Sequence, residues 1–185
     1  LFNPLVIKII TEGGSIMNYR MEHREAQQFL ALVRAFPNEI INDESDHSIP
    51  DFWTECFDKN LVEPMKQLRK EGKRDIFGLC SPTRKNETHF DYGIGIILDE
   101  DTDTEGVKKL LEKGYTLWNA EPADYAVFKC IGTDGDCIGE TWAKFYKEFS
   151  PQTGYVQTDD TDYEIYFENG EKDLFCELWV PVKKD

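Results

Sequence analysis

Positive charge is scarce in this chain. Lysine and arginine together number 21 against 36 acidic residues, and the formal net charge is -15. Such a surface repels phosphate backbones, which excludes a chain that grips DNA or RNA by itself. Only three histidines occur, His23, His47 and His89, and none has metal-ligand spacing to another. The five cysteines are odd in number and form no C-x-x-C pair, so neither a zinc ribbon nor a thioredoxin-like motif is present. They sit among apolar residues and read as small hydrophobes in a reducing, cytoplasmic compartment. No long uncharged apolar segment offers a membrane span, and no signal peptide is visible. A nucleophile elbow is missing too, and Gly93-Ile94-Gly95 lacks the third glycine and the following helix of a phosphate loop. The acidic run Asp99–Gly106 opens with EF-hand spacing. It has Thr104 where glycine is needed and Leu110 where a bidentate glutamate is needed, so calcium is excluded. The composition therefore calls for no cofactor and no metal.

What is present is a globular composition with many rings. Hydrophobic residues make up 40% of the 185 and aromatics 13%. That is enough to build one core, or one core from two fused halves. Aromatic side chains fill interiors and also line pockets for flat or cationic ligands. The acidic balance reads first as a solvated surface, and second as an attraction for cations.

Along the chain, residues 1–16 read as an apolar strip and a glycine joint (Gly13-Gly14), a tail from an upstream domain. The domain proper then runs over 17–185. Strands are expected near 18–23 and 27–36. A helix follows that starts at Ser48 as N-cap, with Asp51 completing a capping box; it buries Ile49, Trp53, Cys56 and Phe57 and is broken or kinked by Pro64. Strands over 74–82 and 88–98 complete the first set, and Asp103 or Thr104 caps a short helix ending near Gly114. The second set has strands at 115–119 and 125–131, a helix carrying Ile138, Trp142, Phe145, Tyr146 and Phe149, and strands at 163–168 and 174–182 joined at Asn169-Gly170. The order strand, strand, helix, strand, strand thus occurs twice, over about 17–100 and 115–185. EAQQFLALVRAF parallels PADYAVFKCIG, IPDFWTECF parallels IGETWAKFY with Trp53 answering Trp142, and HFDYGIGIIL parallels LFCELWVPV. The fold class is α+β: duplicated strand-helix-strand-strand units whose antiparallel sheet surrounds a central groove.

The last strand suggests where that groove lies. Cys176, Leu178, Val180 and Val182 share one parity, suited to a core against a helix. Phe175, Glu177, Trp179 and Pro181 share the other, so Glu177 stands between rings on the expected groove face. An edge glutamate in water is the plain reading; the functional one is a counter-charge for a ligand or a general acid/base. Tyr92 occupies the matching place in the first repeat and could offer its hydroxyl to the same groove, with Gly93 and Gly95 as bulge candidates. Trp142 and Trp53 read first as core. Trp118 and Tyr125 are further candidates for the pocket.

ADYAVFKCIG, IGETWAKFYKEFSPQTGY, DYEIYF and CELWVPVK, in that order, together with SIPDFWTECF and HFDYGIGIIL, resemble the GyrI-like effector-binding domain over nearly the whole chain. The stretch FNPLVIKIITEGGSIMNYRME resembles the junction by which such a domain follows the helix-turn-helix part of bacterial AraC-type transcription regulators. The resemblance implies two strand-helix-strand-strand units around a groove that binds lipophilic or cationic molecules, as multidrug sensors do. It puts the family's acidic residue on Glu177, with Trp179, Phe175, Tyr92, Trp142, Trp118 and Tyr125 as the ligand-binding set. The partners it implies are a small-molecule effector, DNA only through an upstream helix-turn-helix domain, and a second copy of the chain as a homodimer. A relative acting as a hydrolase, with Glu177 and Tyr92 as the catalytic pair, or as a gyrase inhibitor, is the alternative.

Overall fold

Ten short, mostly β-branched or aromatic segments pair edge to edge into one antiparallel sheet, as such residues favour. The computed structural model describes residues 6–10, 16–43, 45–81 and 88–185. Its strands are β1 (Val6–Ile10), β2 (Ile16–Arg24), β3 (Gln27–Pro37), β4 (Ile76–Cys80) and β5 (His89–Ile97), then β6 (Thr116–Ala120), β7 (Ala123–Ile131), β8 (Tyr155–Gln157), β9 (Asp162–Tyr166) and β10 (Leu174–Lys184). The order across the sheet is β1-β2-β7-β10-β9-β4-β5-β3-β6, with β8 added on β10.

That order displays the duplication. Read outward from the β4–β9 contact, one side runs β4, β5, β3, β6 and the other β9, β10, β7, β2. Each half therefore lends its first strand to the other: β2 pairs β7 and β6 pairs β3. Chain connections then force the sheet to coil. Only Glu25 and Ala26 separate β2 from β3, and only Glu121 and Pro122 separate β6 from β7. Strands six places apart in a flat sheet would lie roughly 29 Å from each other, whereas such a link reaches about 11 Å. The inner surface of the coil is solid with rings: Phe29, Phe77, Tyr125, Tyr163 and Trp179 are all buried there. Phe29 on β3 reaches Tyr163 on β9 with ring centroids 5.6 Å apart.

The helices cover the outer surface. α1 (Ser48–Asp58) and α3 (Thr104–Leu111) enclose one outer core with β3 and β5, and α4 (Asp136–Lys144) encloses a second with β7 and β10. After α4 the chain makes a π-helical turn, Phe145–Phe149, and then α5 (Ser150–Thr153). It stops at Gly154, whose φ of 67° suits a residue without a Cβ. Among the described residues no helix is long and apolar enough to cross a membrane.

Several local expectations change. The carboxylate of Asp46, not the hydroxyl of Ser48, meets the open amide at the start of α1, accepting from Ser48 N at 2.9 Å. Pro64 kinks nothing. α1 already ends at Asp58, the chain turns through Asn60 at positive φ, and Pro64 lies in the first turn of the short α2 (Glu63–Lys66). The expected tail is not bare either, because Val6–Ile10 pairs with β2 as an outermost strand. Asp103 caps α3 by accepting from Glu105 N. In the acidic run, Asp99 pairs with Arg69, and Asp101 pairs with Lys70 and Lys73.

Candidate functional site

The two halves meet where β4 pairs with β9, and the central residues of these five-residue strands, Gly78 and Glu164, face each other across the seam. Strand alternation sends Phe77, Leu79, Tyr163 and Ile165 into the coil, so Gly78, Cys80, Asp162, Glu164 and Tyr166 turn toward the helices. One half thus supplies a carboxylate at the seam and the other supplies a glycine. The glycine keeps that approach open: a Cβ at residue 78 would overlap Glu164 Oε2 and the Tyr92 hydroxyl, side-chain ends that would have to move aside.

The hydroxyls of Tyr92 and Tyr166 donate to Glu164 Oε2 at 2.6 and 2.9 Å. Trp53 Nε1 in turn donates to the Tyr92 oxygen at 3.0 Å. Among the described residues no cation is paired with Glu164. Glu164, Asp162, Tyr166 and Cys80 each retain partial solvent access although protein atoms enclose them densely. Some solvent reaches these groups from the helix side of the seam, and aromatic rings stand nearby. Trp53 stacks on Phe57 and meets Tyr166 edge-on, and Tyr166 meets Phe175 edge-on. On the other half Trp142 stacks on Tyr146, just as Trp53 does on Phe57. Trp142, Tyr166 and Phe175 pack against the same core. Phe57 and Tyr146 are more than half exposed, at 57% and 55%. Large rings held in water by their own helix are contact surface rather than core.

Burial raises the pKa of Glu164, and the hydrogen bonds from Tyr92 and then Tyr166 pull it back only in part. Burial, followed by the charge of Glu164, pushes Asp162 well above the usual carboxylate range. Because the folded value of Glu164 exceeds the unfolded one, its contribution to stability is complete below about pH 4.3 and is lost as pH rises through the folded value. Glu164→Gln should accordingly gain on the wild type by a few degrees in melting temperature between pH 4 and pH 8. A parallel pair of melting-versus-pH curves would contradict this.

Glu177 lies on the opposite surface of the sheet. It is buried at 6% exposure, and its carboxylate is already paired. Arg20 Nη1 and Nη2 hold both oxygens at 2.7 Å, and Trp179 Nε1 donates to Oε2 at 3.1 Å. The Arg20 guanidinium also pairs with Glu22 and lies 5.3 Å from the Trp179 ring centroid, with Arg24 over the same ring at 4.1 Å. Burial works against the charge on Arg20, but Glu177 and then Glu22 hold its pKa above the usual value.

The seven candidate residues are therefore divided by the sheet. Glu177, Trp179, Tyr125 and Trp118 face the coil, where Tyr125 donates to the Thr161 carbonyl and Trp118 Nε1 to the Thr161 hydroxyl. Tyr92, Trp142 and Phe175 face the helices. Tyr92 and Glu177 consequently share no groove, which corrects the expected pairing. The β3–β5 register runs without a bulge, and Gly93 turns into the coil to admit the ring of Trp118. Phe175 leaves the parity of Glu177 because a register shift falls between Leu174 and Cys176.

The profile of the GyrI-like small molecule binding domains matches residues 17–183. The chain belongs to this family. No curated protein sequence matches it. Among solved structures, SAV2435 bound to tetraphenylphosphonium superposes with a TM-score of 0.71 at 17% identity, over 90% of this chain and 94% of that one. A bacterial transcription regulation protein from Staphylococcus aureus MU50 gives 0.67 at 16% identity, over 90% and 99%. The C-terminal domain of EcmrR gives 0.56 at 10%, over 91% and 99%. The GyrI-like fold is thus held at low identity.

Within this GyrI-like domain, the residues that residue-by-residue reading missed are Glu164, Tyr166, Asp162 and Gly78. One signal was present. Asp162 and Glu164 alternate with Tyr163 and Ile165 along one short strand, and a lone glycine interrupts the apolar strand Ile76–Cys80, a mark of close approach.

Proposed function

We propose that this GyrI-like domain is the effector sensor of a transcription regulator and that its site is the recess over Glu164. A lipophilic cation sits among Trp53, Phe57, Tyr166, Trp142 and Tyr146, with its charge against the Glu164 carboxylate. The observation that carries this reading is a carboxylate on the seam between the halves that, among the described residues, takes hydrogen bonds from tyrosine hydroxyls and pairs with no cation. Desolvated cation–π contacts add about 2 kcal/mol each, and the net charge of -15 draws cations toward the surface. The likeness to SAV2435, solved with tetraphenylphosphonium, and to bacterial regulators supports the same reading. Ligand bound at the seam favours one arrangement of the halves, and that preference biases an attached DNA-binding part.

Calorimetric titration with tetraphenylphosphonium tests the site. Glu164→Gln should weaken binding about tenfold or more, while Glu177→Gln, on the far surface, should leave it within about threefold once folding is verified by melting. Loss through Glu177 with Glu164→Gln unaffected would return the site to the coil face and overturn the reading.

A further inference from the structure

Three thiols meet beneath α4. Cys130 on β7 and Cys176 on β10 are directly opposed residues of adjacent antiparallel strands. Both turn to the helix side of the sheet, where Cys137, in the first turn of α4, joins the same core. Directly opposed residues of such strands hold their Cα atoms about 4.5–5.5 Å apart, within the span that a disulfide bridges. The Cys130 thiol donates to the Thr141 hydroxyl of α4 at 3.4 Å, and that hydroxyl donates to the Cys137 carbonyl at 2.7 Å. All three thiols are buried, and all five cysteines of the chain are free. Their cover is thin at one end. α4 begins at Gly135, which has no side chain to cap it, and residues 133–136 are exposed. Fraying of this turn uncovers the cluster.

We propose that Cys130 and Cys176 are a redox-active pair that closes into a cross-strand disulfide when the protein meets hydrogen peroxide. Cys130 reacts first. The hydrogen bond shared with Cys176 lowers the pKa of Cys130 and raises that of Cys176, while burial pushes Cys137 up to about 11. The thiolate is the nucleophile, so Cys130 is the sulfur that attacks. It takes one peroxide oxygen: an S–O bond forms, the O–O bond breaks, and the departing hydroxide picks up a proton and leaves as water. The sulfur has then lost two electrons to the peroxide. Next the Cys176 sulfur attacks the Cys130 sulfenic acid. An S–S bond forms, the S–O bond breaks, and the second hydroxide leaves as water with the Cys176 proton. The bridge ties β7 to β10. It gives the domain a second input that does not depend on the carboxylate at the seam.

Peptide mapping of the folded protein after mild peroxide treatment tests the pair. Remaining thiols are alkylated under denaturing conditions, and the tryptic digest is read by mass spectrometry. Cys130 and Cys137 share one tryptic peptide, so fragment spectra assign the bridge. Most of Cys130 and Cys176 should be found in one linked product, lighter by two hydrogens and restored by a thiol reductant. Cys56, in the other outer core, and Cys80, on β4, should still be alkylated. Cys137→Ser should leave the link in place. Cys176→Ser should stop at a Cys130 sulfenic acid, captured by dimedone, because the thiol that resolves it is gone. A wild-type bridge that uses Cys137 overturns the proposal. So does sulfinic or sulfonic acid at Cys130 without the linked product, and so do five thiols all still alkylated after treatment. The wild-type map decides by itself, so a poorly folded Cys176→Ser cannot shield the idea.

Discussion

Arg20→Met should destabilise this domain by about 3–5 kcal/mol, because it leaves the Glu177 carboxylate buried without its cation. Glu177 is held by both terminal nitrogens of Arg20, and the two side chains are 8% and 19% exposed. Removing the guanidinium leaves one donor on that carboxylate, Trp179 Nε1. It also leaves Glu22 without its partner and strips one cation from the Trp179 ring. For a chain of this size the melting temperature should fall by roughly 6–20 °C. The double replacement Arg20→Met/Glu177→Met should recover most of that loss, since no buried charge is then stranded and an apolar pair can be as stable as the ion pair. Urea unfolding of the wild type, Arg20→Met and the double replacement measures both quantities. Tetraphenylphosphonium affinity should hardly change in any that fold, because the pair stands on the coil side of the sheet. A single-variant loss below about 1 kcal/mol would mean that water reaches Glu177 and that the pair is an ordinary surface bridge.

Gly78→Val should abolish ligand binding with a much smaller effect on stability. A Cβ alone falls within 2.4 Å of Glu164 Oε2 and the Tyr92 hydroxyl, and two further carbons would occupy the space between them. The backbone tolerates the change: residue 78 is extended, pairs on both sides, and valine suits strands. The two colliding atoms are side-chain ends, so they swing away rather than move the sheet. Glu164 then loses at least the Tyr92 hydrogen bond, and the floor of the recess fills. Affinity for tetraphenylphosphonium should drop at least about 100-fold, equivalent to about 2.7 kcal/mol. The folding cost should remain near the 1–3 kcal/mol typical of overpacking. Retained affinity in a folded Gly78→Val protein would mean that the ligand never approaches the seam.

How far the sequence could be read depended on which forces were local. Alternating apolar residues in 27–36, 88–98 and 174–182 placed β3, β5 and β10, and the matched segments around Trp53 and Trp142 disclosed the duplication. Strand pairing preserves this as the mirrored order β4-β5-β3-β6 and β9-β10-β7-β2. The helix start went to Asp46 because a flexible carboxylate two residues upstream competes for the same amide as a serine hydroxyl. Phe175 was misplaced by a bulge, and bulges depend on the partner strand as much as on the bulged one.

The choice between two glutamates marks where reading along the chain ends. Local pattern determined most of the strands and the main helices, that there are two halves, and that an acid stands among rings, but not that Val6–Ile10 and Tyr155–Gln157 are strands. It could not say that Arg20, 157 positions away, neutralises Glu177, nor that Gly78 opens the space in front of Glu164. Those facts come from strands exchanged between halves and from a sheet coiled by two-residue links, which bring distant residues together and decide which side chains share a surface. A carboxylate looks the same in a strand pattern whether its counter-charge comes from its own chain or from a ligand. Only the packed structure decides, because electrostatic pairing acts through space and not along the sequence.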